Sequence, residues 1–171
     1  MDVKLTTLCG YGRPRQAWRL LQDISAVLEP LHREGLAHGG ISTESIVVDP
    51  AGRFSLAGNG LQGRPESDIW SLGAAVFELL MGIPVFGGKG ESSQTESTPV
   101  PRFSASYGED LSLLVKRCLD YDPEARPDAT TIHKAAVKGL EDCEKSASGR
   151  VPKAAAEGVR SDLNYWSEKM K

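Results

Sequence analysis

Apolar and polar positions alternate along this chain in a few periodic stretches, separated by clusters of turn-forming residues. Over residues 15–34 the apolar positions Trp18, Leu21, Ile24, Val27, Leu28 and Leu31 recur at steps of three and four, which predicts one buried face of a helix. Gly35 stands where a left-handed residue would end it. Residues 45–48 and 54–57 are short β-rich runs on either side of Asp49, Pro50, Ala51 and Gly52, and predict a hairpin. Residues 67–81 are apolar nearly all round, with only Ser67, Asp68, Ser71 and Glu78 polar. A helix of that kind is buried, and Gly82 and Pro84 stop it. Residues 109–119 place Leu111, Leu114, Val115, Cys118 and Leu119 on one side of a further helix. Asp128 is expected to cap a last helix that runs to about Glu144.

The pattern predicts a mainly α fold (α+β) with one small β-hairpin. Residues 1–13 read as an irregular lead-in, 14–143 as the folded unit, and 144–171 as a linker and tail, with Ser146, Ala147, Ser148 and Gly149 as the linker proper. Residues 87–106 are rich in Gly, Ser, Thr and Glu and are expected to form a flexible loop, because such a run buries too little apolar surface to offset its ordering entropy. A solvated loop is the simple reading of its Ser and Thr content, and phosphorylation is the alternative. In the tail, Leu163, Tyr165 and Trp166 are candidate contacts, either to a partner or back onto the chain's own folded unit.

Composition changes this picture little. The chain has 171 residues, 40% hydrophobic and 25% charged, enough for one core. A net charge of −3 without a basic block does not favour nucleic acid or an anionic membrane as partner. No run approaches the ~20 apolar residues that span a bilayer. The first 20 residues lack an apolar stretch of signal-peptide length, so an intracellular, cytoplasmic protein is expected. Cys9, Cys118 and Cys143 fit no zinc spacing and read as reduced thiols, with Cys118 on a core-facing helix side.

Four segments carry a family resemblance. Leu31, His32, Arg33, Glu34, Gly35, Leu36, Ala37 and His38 look like the run that leads into a protein-kinase catalytic loop. His38 through Asp49 (His-Gly-Gly-Ile-Ser-Thr-Glu-Ser-Ile-Val-Val-Asp) looks like that loop and the strand after it. Asp68, Ile69, Trp70, Ser71, Leu72 and Gly73, continuing to Gly82, Ile83, Pro84, Val85 and Phe86, look like the central helix of the large lobe. Cys118 through Pro127 contains Asp122, Pro123, Arg126 and Pro127 in the Asp-Pro-x-x-Arg-Pro order found near that lobe's end. Over about residues 10–142 the chain thus resembles the C-terminal lobe of eukaryotic-type protein kinases.

The departures from the family pattern bear on function. Kinase chemistry uses a loop carboxylate, a metal-binding Asn and the Asp of Asp-Phe-Gly. The resemblance places these at Gly40, Ser45 and Gly58, and the loop Lys at Ser42. No Gly-rich loop or Val-Ala-Ile-Lys strand precedes residue 15, and seven residues separate Gly60 from Asp68 where the family carries a few tens. Arg64, Pro65 and Glu66 stand where Ala-Pro-Glu would be. What the resemblance keeps is structural: Asp68 accepting from loop backbone N–H groups, His38 packed beneath the loop, Trp70 and Gly73 in the central helix, and Arg126 paired with a carboxylate, for which Glu66 is the candidate. Glu44 reads as a loop-bracing residue.

The expected function is a non-catalytic pseudokinase lobe that acts as scaffold or structural subunit through protein contacts, with no catalytic residue, cofactor or metal. A partner chain is expected over the face near Val47 and Phe54, where a small lobe would sit. The alternatives are a truncated product or incomplete gene model of a larger kinase-like protein, and an atypical nucleotide-binding or active kinase.

Overall fold

The computed structural model describes residues 2–58, 61–88, 90–100, 103 and 105–147. Among these residues, four α-helices and a three-stranded antiparallel sheet make a mainly helical fold. Helix α1 (Pro14–Arg33) starts on Pro14, whose fixed φ suits the first helical position, and Gln16 Oε1 accepts the Arg13 N–H at 3.1 Å. It buries Ala17, Trp18, Leu20, Leu21, Ile24 and Leu28. Val27, expected on that face, is 41% exposed, because Ile24 and Leu28 already fill the line of contact. The helix ends where Leu36 N–H reaches Leu31 O at 2.9 Å, with Gly35 left-handed at φ +76°.

The hairpin is β2 (Ile46–Val48) and β3 (Phe54–Leu56), in register Val48 with Phe54 and Ile46 with Leu56. Asp49 shapes its turn by accepting from Ala51 N–H at 2.9 Å and Arg53 N–H at 3.0 Å. A third strand, β1 (Val3–Lys4), pairs with β2 on the far side. The lead-in is therefore ordered: it carries β1, buries Leu5, and lays the Gly10 and Gly12 N–H groups on Leu79 O at 2.9 and 3.1 Å. Two residues of strand are too few to show a period in sequence.

Helix α2 (Pro65–Met81) is the central rod, with Ile69, Trp70, Leu72, Val76, Phe77, Leu79 and Leu80 all buried. It ends on Gly82, left-handed at φ +80°. Gly73 lets α3 (Glu109–Cys118) approach, since a Cβ there would lie 2.7 Å from Cys118 Cβ. Helix α4 (Ala129–Ala147) is capped by Asp128, whose carboxylate accepts from Thr131 N–H at 2.7 Å. It runs past the expected end near Glu144. It lies along α1, and Gly139 sits flat on the Trp18 indole, where a Cβ would come within 2.3 Å of the ring.

Residues 87–106, expected as a flexible loop, include a 3₁₀ turn at Glu91–Ser93 and insert Gln94 into the core at 6% exposure. Gln94 Oε1 accepts from Trp70 Nε1 at 2.9 Å, and its amide donates to Leu119 O at 2.7 Å. A buried indole N–H needs an acceptor, and this segment supplies it. No helix among the described residues is long and apolar enough to cross a membrane.

Candidate functional site

The loop joining α1 to β2, residues 35–45, is held from below by Asp68, in the first turn of α2. Asp68 is 2% exposed. Its Oδ2 accepts from His38 N–H at 2.7 Å and meets His32 Nε2 at 2.8 Å, and its Oδ1 accepts from Gly39 N–H at 2.9 Å. A buried carboxylate is tolerable when its lone pairs are so occupied. His32, on the last turn of α1, was read from sequence only as part of the Leu31–His38 run and given no role of its own.

His38 is 4% exposed and bridges two loops. Its Nδ1 accepts the Gly40 N–H at 3.1 Å, so its Nε2 carries the proton and donates to Gly58 O at 2.8 Å. Both ring nitrogens are thus committed to backbone, which leaves the imidazole no lone pair for a ligand.

Gly40 presents no side chain, and a Cβ there would only touch the His38 ring at 3.5 Å. Ser45 is turned inward: its hydroxyl accepts from Ser42 N–H at 2.9 Å and lies 2.7 Å from Gly40 O. Ser42 Oγ accepts from Glu44 N–H at 3.2 Å. Gly58 contributes its carbonyl to His38 and sits left-handed at φ +82°. Glu44, the carboxylate nearest in sequence, is exposed and paired with Lys4 at 3.3 Å. None of Gly40, Ser45 and Gly58 carries a carboxylate. Among the described residues no cluster of three or more His, Cys, Asp or Glu could hold a metal.

The segment after this loop crosses directly over it. Gly39, at φ +76°, lies so close beneath Gln62 that a Cβ would come within 2.0 Å of the Gln62 carbonyl oxygen. Leu61 is left-handed at φ +47°, unusual for a branched residue. The role of Gly39 was not legible in sequence, because it depends on what crosses above it.

Arg126 has a different partner from the one expected. Its side chain is 2% exposed and pairs with the Glu91 carboxylate. Glu66 gives Arg126 only its backbone carbonyl, at 2.9 Å, while its own carboxylate faces Arg64 at 3.6 Å. The helical turn at Pro65 points the Glu66 side chain outward, and the ordered 91–93 turn brings Glu91 in. Arg126 Nε also donates to Asp120 O at 2.8 Å.

Phe54 is a core residue at 6% exposure and not an exposed contact. The register faces it towards α1, whose Asp23 accepts the Phe54 N–H at 2.9 Å. Val47 is half-buried. Trp70 stacks against Phe86 with ring centroids 6.1 Å apart. Leu163, Tyr165 and Trp166 lie outside the described residues. Burial pushes the Cys118 thiol up to about 12, and burial with the Glu78 carboxylate 3.6 Å away does the same to Cys9, so neither is a nucleophile at neutral pH.

No protein-family model matches the chain. It is similar to a probable serine/threonine-protein kinase nek2 of Dictyostelium discoideum, 27% identical over 149 residues, covering 67% of this chain and 36% of that protein. It is also similar to the mouse serine/threonine-protein kinase Nek9, at 28% over 149 residues and 15% of its length. A calcium-dependent protein kinase SK5 of Glycine max matches at 26% over 157 residues, 68% of this chain and 30% of that protein. The chain thus spans about a third or less of the relatives it matches, and the similarity relates it to protein kinases.

Proposed function

We propose that this chain is a kinase-like C-terminal lobe that transfers no phosphate and works by binding other proteins. The carrying observation is the contrast inside one loop. The braces, Asp68, His38 and His32, are in place, while Gly40, Ser45 and Gly58 offer no carboxylate or amide oxygen towards a metal or a substrate hydroxyl. Phosphoryl transfer rests on positioning and on metal-borne charge stabilisation, so a loop without those oxygens has nothing with which to lower the barrier. The Ser45 hydroxyl is spent on the loop itself, which supports reading this loop as a structural element. A protein partner over the sheet is part of the proposal. With Phe54 withdrawn into the core, the residues left to meet it are Val3, 37% exposed, and Val47. An intracellular, cytoplasmic setting belongs to the same reading.

The test is a thermal melt with and without ATP and magnesium, beside a radiolabelled phosphotransfer assay. No rise in melting temperature and no transfer are expected, since binding to the folded state alone would stabilise it. Transfer that disappears on mutation within residues 38–58 overturns the proposal.

The small share of its relatives' length supports a second reading, that the chain is part of a longer kinase-like protein. Intact mass of the endogenous product separates the two.

A further inference from the structure

We propose that Ser92 is a phosphorylation site and that its phosphate releases the strap formed by residues 91–94. Two residues of this short stretch turn inward, Glu91 onto Arg126 and Gln94 onto Trp70 and Leu119. The two between them, Ser92 and Ser93, are exposed. Ser93 Oγ closes the turn by donating to Gly90 O at 2.7 Å. Further along, the hydroxyls of Thr95, Ser97 and Thr98 bond to one another, Thr95 Oγ1 lying 3.3 Å from Ser97 Oγ and 2.7 Å from Thr98 Oγ1. Of the hydroxyls in residues 92–98, that of Ser92 alone has no hydrogen-bond partner among the described residues. A modifying enzyme reaches it without first breaking such a bond. Glu91 and Glu96 on either side suit an enzyme whose substrate groove is basic.

The reaction is phosphoryl transfer from a nucleoside triphosphate held by a separate protein kinase. The Ser92 oxygen forms a bond to the γ-phosphorus, and the bond from that phosphorus to the β–γ bridging oxygen breaks. The nucleoside diphosphate leaves, and the hydroxyl proton passes to that kinase's base. The product carries roughly two negative charges at neutral pH. Ser92 borders a hollow of about 560 Å³ whose wall includes Glu91, Glu96 and Asp122. Arg126 is the one cation on that wall among the described residues, and its side chain is 2% exposed. Its Nε and one terminal nitrogen already serve Asp120 O, Glu66 O and the Glu91 carboxylate. The phosphate therefore joins three carboxylates and finds no free cation. A phosphate set beside carboxylates disrupts by like-charge repulsion. Glu91 is next in the chain to the phosphate and is 31% exposed, so it is the anchor that gives way. Gln94 follows, which takes the acceptor from Trp70 Nε1 and the donor from Leu119 O.

The test uses the full chain. Incubation with an acid-directed serine/threonine kinase and magnesium ATP, followed by peptide mass spectrometry, is expected to place phosphate on Ser92 ahead of Ser93, Thr95, Ser97 and Thr98. Labelling of any of those first, or no labelling, overturns the site. Chain synthesised with phosphoserine at position 92 is then compared with unmodified chain by amide hydrogen exchange. Exchange over residues 91–96 rises several-fold while that of α1 is unchanged, and circular dichroism shows both forms folded. The rise shrinks in Glu96→Gln, which removes one repelling carboxylate of the hollow. Phosphoserine at position 97, which does not border the hollow, produces no such rise. Unchanged or slower exchange over residues 91–96 overturns the release, as does an equal rise from position 97 or loss of the whole fold.

Discussion

Arg126 is neutralised by Glu91, a residue thirty-five positions earlier in the chain, across a segment that looks like loop in sequence. Arg126 is almost wholly buried, while Glu91 keeps 31% exposure at the surface end of the contact. The pair ties the 91–93 turn to the segment between α3 and α4, and Gln94 continues the tie through Trp70 and Leu119. A segment poor in apolar residues is thus held by polar groups reaching into the core.

Glu91→Ala leaves the guanidinium with carbonyl partners only. Removing one member of a fully buried pair costs about 3–5 kcal/mol. The partial exposure of Glu91 lowers the expected loss to about 2 kcal/mol. Glu66→Ala breaks only an exposed contact with Arg64 and should cost at most about 1 kcal/mol. Urea unfolding of both variants checks the order; an equal or reversed loss would return the partnership to Glu66.

Asp68→Ala strands the N–H groups of His38 and Gly39, and removes the partner of His32. Each unsatisfied buried donor costs about 1–3 kcal/mol. A loss of about 3 kcal/mol is expected, with early hydrogen exchange at residues 36–42. Stability within experimental error of wild type would mean that water satisfies the loop.

Which features were legible in the sequence follows from how local their causes are. The braced loop was legible through the resemblance of residues 68–73 to the kinase central helix, which implies that Asp68 accepts from loop N–H groups; the apolar pattern alone indicated only that α2 is buried. The hairpin turn was legible because Asp49 acts on residues two and four ahead. Glu91 and Gln94 were not, since nothing local marks one Glu or Gln in a polar stretch as the residue that turns inward. Phe54 shows the same limit: alternation indicates that one face of a hairpin is buried, but packing on α1 decides which.

Gly39 and Gly58 are both left-handed, yet their surroundings differ. A Cβ on Gly39 collides with the Gln62 carbonyl, while one on Gly58 meets nothing within 4 Å. Gly58→Ala should therefore cost only the conformational penalty of about 1–2 kcal/mol. Gly39→Ala adds overpacking of about 1–3 kcal/mol more. Inserting two glycines after Gln62 should relieve that excess and bring Gly39→Ala to the level of Gly58→Ala in denaturant melts. If the insertion changes nothing, the crossing of residues 61–64 is not what requires glycine at position 39.

The thiols of Cys9 and Cys118 set an alkaline limit to stability. Both are pushed up to about 12, Cys118 by burial and Cys9 by burial first and the Glu78 carboxylate second. An unfolded thiol ionises near pH 8.5, roughly. Between that pH and about 12 the folded state therefore holds protons that the unfolded chain has released. By linkage their contribution is fully present below the unfolded value and is lost as pH rises through this window. Cys9→Ser removes one such proton while keeping a donor towards Glu78. Urea midpoints measured from about pH 7.5 to about pH 10 should fall less steeply for the variant than for wild type, the curves parting only above the unfolded thiol value. Parallel curves would show that Cys9 ionises alike in both states, and that the Glu78 contact does not hold the thiol protonated.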